Sequence, residues 1–341
     1  MTTAPQAPTG PFGTSFAGSM SVARWEAGTW DAPKLGPVEP FSFHPATHVF
    51  HYGSACFEGL KAHRGTDGVV RVFRLDRHVL RMQRSAEILR LPAPPSDMLT
   101  DMVLAVVKAN LDEVPMAPGS LYLRPTLIGI EENIGAAAVP SKQALLYVLA
   151  SPVGDYFQGG IRPLKIAIET EMPRTTPQFG MVKSGANYVM ALGPTMDAKN
   201  DLGVDQVLFA PNGVVQETGA ANFMLIDPER VITPALSEAF LHGVTRDSML
   251  TLAADMGYVV EERTKLTVED VLGFAARPDA EAALSGTAAV LASVGSFILR
   301  GEEIPVGSGG VGHHTLELRS ALTAIHLAER PDPYGWLTVV K

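Results

Sequence analysis

Gly180-Met-Val-Lys183-Ser-Gly-Ala-Asn187-Tyr188-Val-Met-Ala191 sets one lysine among small residues, with an Asn-Tyr pair four and five positions on. Val182, Ser184, Gly185 and Ala186 offer Lys183 no adjacent carboxylate to keep it charged. Such a lysine suits the neutral amine that forms a Schiff base with a carbonyl. By itself the stretch reads equally well as a surface lysine in a glycine-rich loop, so the rest of the chain has to decide between the two.

The 341 residues, 46% of them hydrophobic, are enough for one large or two medium domains. A net charge of −9 with no basic run speaks against nucleic acid or an anionic membrane as partner. No uninterrupted apolar window of about 18 residues exists to span a bilayer. Residues 1–18, rich in Thr, Ala, Pro and Gly, read as a flexible lead-in, with neither the basic nor the apolar region of a signal peptide. The single cysteine, Cys56, excludes an internal disulfide and a CxxC motif. This composition fits the expectation of a soluble cytoplasmic enzyme.

From Phe41 to Arg74 the pattern is strand-like, with strands expected at Thr47–Tyr52 and Val69–Phe73 and a turn at Gly65–Gly68. His44, His48 and His51 do not make a metal site: Pro45 breaks any helix that would align them, and Cys56 and Glu58 fall outside ligand spacing. Lys61 also follows a glycine-containing motif, but its alternating strand neighbours suggest a solvated face. Asp76 is expected to cap a helix to about Leu89, with Val79, Leu80, Met82, Ala86 and Leu89 inward. Of the arginines on or beside it, Arg77, Arg84 and Arg90 read as a solvated face, which sets Arg81 apart. A second amphipathic helix spans 97–110. Strands at Leu121–Gly129 and Ala144–Ala150 follow, the first placing Tyr122 and Arg124 on one face. The expected organisation is a small α+β domain over 1–150, a linker over 151–161 and a larger domain over 162–341. In that larger part the expectations are a strand at Leu164–Glu169 and a helix over 186–200 kinked by Pro194. A hairpin of Val204–Phe209 with Val214–Glu217 comes next, then a strand at Asn222–Ile226. Gly243 opens a helix that ends at Gly257, and Tyr258–Glu261 is a strand. Thr267 with Asp270 forms a capping box, and a final helix packs Leu316, Leu322, Ile325 and Leu327 inward.

Three further features bear on chemistry. Gly243-Val-Thr245, running straight into a helix, and Gly286-Thr287-Ala288 are glycine turns with hydroxyls; each alone reads first as an ordinary turn, and both also suit an anion at backbone N–H groups. Neither is a Walker A or Rossmann fingerprint. Glu217, at the end of a hairpin strand, reads either as a solvated turn residue or as a carboxylate able to hold a protonated ring nitrogen. A Schiff-base lysine, an acid for a pyridinium nitrogen and a phosphate cup are the parts that pyridoxal phosphate requires.

In this order the motifs resemble those of the branched-chain aminotransferases, a fold-type IV family of pyridoxal-phosphate enzymes with a two-domain, D-amino-acid aminotransferase-like architecture. The resemblance rests on Tyr52–Lys61 (the Glu-Gly signature), Leu121–Gly129, 151–157, Lys183–Tyr188, Glu217–Asn222, Gly243–Arg246 and Ser285–Ala288. It covers roughly residues 40–340. It implies that Lys183 forms the Schiff base, Tyr188 hydrogen-bonds the cofactor's phenolic oxygen and Glu217 binds its ring nitrogen. Arg81, the Val244 and Thr245 amides and Thr287 would hold the phosphate. Tyr52, Phe57, Tyr122, Arg124 and Tyr156 would line the substrate pocket, and the Thr287-Ala288 turn would take the α-carboxylate. The segment Ile134–Ala136 would complete a partner subunit's pocket, implying at least a homodimer. The implied reaction is reversible amino transfer between leucine, isoleucine or valine and 2-oxoglutarate. D-Amino-acid transaminase and aminodeoxychorismate lyase share the fold, and a non-catalytic binding protein would lack use for Lys183 and Glu217. Ala289 and Ala292 replace the redox CxxC of the mammalian enzymes, so thiol regulation is not expected. Ala220 replaces their threonine near the ring, so that contact is not implied.

Overall fold

The computed structural model describes residues 10–155 and 160–341. These form two compact units. One comprises residues 10–155 with Val182–Gly185 and Ala324–Lys341; the other comprises residues 160–181 and Ala186–Thr323.

In the first unit, β1 (Ser19–Glu26), β2 (Thr29–Trp30), β3 (Lys34–Pro37), β4 (Ala55–Phe57), β5 (Leu60–Arg64), β6 (Val70–Phe73), β7 (Ser120–Gly129) and β8 (Ala144–Val153) join the C-terminal strand Leu337–Val339. Among the described residues this is a nine-stranded sheet, and every pairing within it is antiparallel. Helices α2 (Leu75–Ile88) and α3 (Ser96–Ala109) follow the short α1 (His48–Tyr52) and bury Val79, Met82, Ala86, Leu99, Met102, Val103 and Val106 in one core with the sheet. Those positions recur at three- and four-residue spacing, as a helix facing a sheet requires.

Several expectations change here. Thr47–Tyr52 is not a strand. Thr47 turns back on the His44 carbonyl, and Gly53, at φ +59, closes a single helical turn by donating to Val49 O. A glycine C-cap outweighs the β-branched and aromatic composition of the segment. Asp76 does not cap α2; Arg74 occupies that position at φ +49, and Asp76 sits in the first turn. Leu80, expected inward, is exposed. From residue 10 onward the lead-in packs on the sheet: Ala17 is buried and donates to Ala150 O. The strand β1 has no counterpart among the expected elements. The linker expected from residue 151 begins inside β8, which runs to Val153.

Lys61, expected on a solvated face, is 8% exposed. β5 lies between β6 and β7 and is covered on both faces, so alternation does not carry its side chains to solvent. Beside it His63 and His326 stack at 4.6 Å between centroids and 11° between planes. Burial first lowers both imidazoles, His326 to about 3; His326 and then the Lys61 charge add to the effect on His63, and the Lys61 charge adds to that on His326. A histidine of ordinary basicity in the unfolded chain takes up a proton that the folded pair refuses. Stability is therefore full above about pH 6.5 and falls below it, by about 1.4 kcal/mol per pH unit for each histidine at most. Urea midpoints should drop between pH 7 and pH 5, and H326F should drop less over the same interval. An equal drop in both proteins would remove the pair as the cause.

The second unit is built on β9 (Leu164–Glu169), β10 (Gln206–Phe209), β11 (Asn222–Ile226), β12 (Arg230–Pro234), β13 (Val259–Arg263), β14 (Glu281–Gly286), β15 (Val290–Leu299) and β16 (Glu302–Pro305). The sheet order is β10-β9-β15-β14-β11-β12-β13, with β16 on β15. It mixes parallel pairs (β9 with β10 and β15, β12 with β13) and antiparallel ones. Helices α4 (Gly185–Leu202), α5 (Val244–Asp255), α6 (Val268–Ala275) and α7 (His313–His326) accompany it. Gly257 at φ +95 follows α5, and Thr267 with Asp270 forms the expected capping box on α6. α4 is one helix with Pro194 inside it. The hairpin expected after β10 survives only as two hydrogen bonds between Phe209 and residues 216–217. α7 buries Leu318, Leu322 and Ile325, while Leu316 and Leu327 are half-buried.

Candidate active site

In the first unit the backbone fixes Lys183 at both ends of its residue. Its N–H donates to Ser85 Oγ at 3.1 Å, and its carbonyl accepts from Phe57 N–H at 3.0 Å. The amine Nζ lies 5.1 Å from the centroid of the Phe57 ring. The Arg124 guanidinium lies over the same ring, its Cζ 4.5 Å from the centroid, and Nη2 donates to the Tyr122 hydroxyl at 2.9 Å. The alternation in β7 thus delivers Tyr122 and Arg124 to one face as the sequence implied. A cavity of about 450 Å³ opens beside them, lined by Phe12, Phe16, Phe57, Tyr122, Arg124 and Tyr147 among others. Phe12 meets Tyr122 edge-on at 4.9 Å. Phe12, Phe16 and Tyr147 carry no signal in the sequence; the first two lie in a stretch that reads as lead-in.

Tyr52 is not in that lining. It ends α1, and its hydroxyl donates to the Ile134 carbonyl, so Tyr52 and the 134–136 segment form one local structure. Tyr156 lies outside the described residues. The three upstream histidines are engaged separately: His48 with Ser54, His51 with the Pro45 carbonyl and His44 with the Ala46 amide.

Glu58, to which sequence reasoning gave no role although it belongs to the Glu-Gly pair, anchors Arg81. Its oxygens accept from Arg81 Nε at 2.7 Å and Nη2 at 2.8 Å, and His78 Nδ1 is 2.6 Å away. Burial would raise the Glu58 carboxyl, but the charges and hydrogen bonds of Arg81 and His78 outweigh it and hold it well below the usual carboxylate range. Burial lowers the His78 imidazole, and the charge and hydrogen bond of Glu58 oppose that shift. Arg81 is therefore anchored side-on by a fixed carboxylate, a planar pairing that lysine could not reproduce. Gly59 serves another purpose: a Cβ there would fall 2.0 Å from the Tyr122 hydroxyl. Neighbouring Cys56 is buried, and burial, then the Glu58 charge, pushes its thiol up to about 12.

In the second unit Glu217 is fully enclosed. It pairs with Arg174 at 2.7 Å, each side chain 2% exposed, and also accepts from Leu241 N–H at 2.9 Å and Asn222 Nδ2 at 3.1 Å. Arg174 also donates to the Gly219 carbonyl, and its Cζ lies 5.5 Å from the ring centroid of Tyr188 on α4. An isolated arginine in Met172-Pro-Arg174-Thr gives no sequence cue to this role. Asn222 links Glu217 to α5: a Cβ on Gly243 would lie 2.0 Å from Asn222 Oδ1. That helix starts at Gly243 without any side-chain cap, and Val244 and Thr245 in its first turn are buried. Among the described residues no side chain caps that turn, and its amides suit an outside acceptor. Thr287 and Ala288 form the turn between β14 and β15, half-buried. The sequence-predicted residues therefore fall into two sets. The first unit carries Lys183, Phe57, Tyr122, Arg124 and Arg81; the second carries Tyr188, Glu217, Val244, Thr245, Thr287 and Ala288.

Residues 55–297 match the family model for amino-transferase class IV. The chain is 34% identical over 337 residues to branched-chain-amino-acid transaminase 1 of Bacillus subtilis (strain 168), covering 96% of this chain and 94% of that protein. It is 36% identical over 334 residues to a probable branched-chain-amino-acid aminotransferase of Streptomyces coelicolor, covering 96% and 91%. Its fold is similar to the crystal structure of a T.th. branched-chain amino acid aminotransferase with pyridoxamine 5'-phosphate. That likeness has a TM-score of 0.79 and 27% identity, over 96% of this chain and 100% of the other.

Proposed function

This chain belongs to the class IV amino-transferases, and from that premise we propose that it is a branched-chain amino acid aminotransferase. It moves the amino group reversibly between leucine, isoleucine or valine and 2-oxoglutarate with pyridoxal phosphate. The observation that carries the reading is the Phe57 ring, which has the Lys183 amine at 5.1 Å and the Arg124 guanidinium at 4.5 Å. A pocket walled by aromatic rings suits a branched alkyl chain, and the guanidinium in it suits the γ-carboxylate of glutamate, whose burial without a partner would be costly.

The residues present fit the cofactor. The uncapped first turn of α5 and the anchored Arg81 suit a phosphate, and Glu217 is enclosed as a carboxylate for a ring nitrogen. Bound pyridoxal phosphate supplies an electrophilic carbonyl and a ring that withdraws electrons from the substrate's Cα. The Val244 and Thr245 amides, Thr287 and Arg81 would hold its phosphate, and Tyr188 would donate to its phenolic oxygen. Glu217 would keep a proton on its ring nitrogen, and Arg174 pins that carboxylate in place. Lys183 takes the proton from the substrate's Cα and later returns one, serving as general base and acid. The Thr287-Ala288 turn receives the α-carboxylate. Phe57, Tyr122 and Tyr147 form the pocket's aromatic wall. In the same reading the 134–136 segment, with Ile134 67% exposed, reaches a second copy's pocket in a homodimer or larger assembly. Among the described residues no helix is long and apolar enough to cross a membrane. We place the enzyme in the cytoplasm, in keeping with a lone buried cysteine.

Arg124→Met provides the test, with leucine and glutamate assayed as separate half-reactions. The expected result is a loss in kcat/KM for glutamate larger than that for leucine by about 2 kcal/mol or more. Equal losses would mean that Arg124 shapes the pocket as a whole, and its dual role would be withdrawn.

A further inference from the structure

Gly286 pairs with Val290 across the base of the 287–289 turn. Val290 has φ +63, a left-handed conformation that a β-branched residue adopts only under constraint. Three-residue hairpin loops commonly place a left-handed residue at this foot of the turn, and glycine takes the position because it lacks Cβ. Here valine holds it. The carbonyls on either side of Val290 converge on a single group: Arg319 Nη1, from α7, donates to Ala289 O at 2.8 Å and to Leu291 O at 3.1 Å. We propose that Arg319 and Val290 form a positioning pair that holds the Thr287–Ala289 turn in one strained conformation and thereby sets recognition of the substrate's α-carboxylate. The proposal rests on the reading that this turn receives the carboxylate. The arginine touches no substrate atom; it fixes the foot of the turn from behind, and the β-branched side chain restricts the backbone further once it is there. Without the clamp, valine relaxes toward negative φ and the turn leaves this conformation.

The test uses the holoenzyme and 4-methylpentanoate, an alkyl chain whose one polar group is a carboxylate. In R319M its dissociation constant should rise about tenfold, as for the loss of a positioned charge-assisted contact. The KM for leucine should rise in parallel while kcat falls far less, and the cofactor's absorbance should be unchanged. Adding V290G to R319M should restore most of the affinity, because glycine reaches positive φ without a clamp. An unchanged dissociation constant in R319M, or no recovery with V290G, overturns the pair. A288P, which removes an amide of the turn, separates this from the underlying reading. If A288P keeps wild-type affinity for 4-methylpentanoate, the carboxylate sits elsewhere, whatever R319M does.

Discussion

Lys183→Ala is expected to lower leucine turnover by about 10⁴-fold or more, since it removes both the covalent partner and the proton carrier. The fold should survive the change. Lys183 is held through its backbone, by Ser85 and by Phe57, and alanine keeps both of those hydrogen bonds. Circular dichroism and melting temperature should therefore match wild type while activity disappears. Lys61 is the competitor worth naming, the more so because it is buried. Its strand, however, also carries the His63–His326 stack, and Lys61 acts on both imidazoles as a nearby positive charge. Borohydride fixation of the cofactor followed by peptide mapping should put the label on Lys183 alone. Label on Lys61 would overturn the assignment.

Glu217→Gln should leave the cofactor bound and reduce kcat on the order of 10²-fold or more, as for the loss of a preorganised charge at the reacting system. The amide can still accept from the Leu241 amide, but it cannot keep a proton on a ring nitrogen. The structure adds a second consequence. Arg174 is as deeply buried as Glu217, and neutralising one member of such a pair costs about 3–5 kcal/mol, because the other charge loses its partner. E217Q should therefore melt at a distinctly lower temperature, and its kinetics belong well below that point. A double variant, E217Q with R174M, should recover part of the stability and none of the activity. Wild-type turnover in E217Q would mean that another acid serves the ring nitrogen.

Much of the site is legible in the chain because its chemistry is local. Lys183 and Tyr188 are five residues apart, and Tyr122 and Arg124 share a face through strand alternation alone. The segment proposed to meet a phosphate is a glycine turn running into α5. The ordered motifs point to the family, which the similarity to class IV amino-transferases bears out. The helices α3 and α6 and the strands β7 and β9 follow from periodicity and caps.

What the chain could not disclose depends on encounters between distant segments. The Glu58–Arg81 anchor joins residues 23 apart, Arg174–Glu217 joins residues 43 apart, and Arg319 grips a turn about 30 residues upstream. No spacing rule connects such pairs, because their partners are chosen by which strands lie side by side. Lys61 shows the same limit: alternation assigns faces, but only the neighbours of β5 decide that both faces are covered. The helical turn at His48–Tyr52 forms where composition favours a strand, since the tertiary setting of a short segment outweighs an intrinsic preference of ~0.5 kcal/mol or less per residue. The sequence by itself determined the reactive groups and the order of the motifs. Only the tertiary structure decided which charges are paired, which are buried and what holds each reactive group in place, because burial and pairing belong to the packed sheet and not to any one stretch of chain.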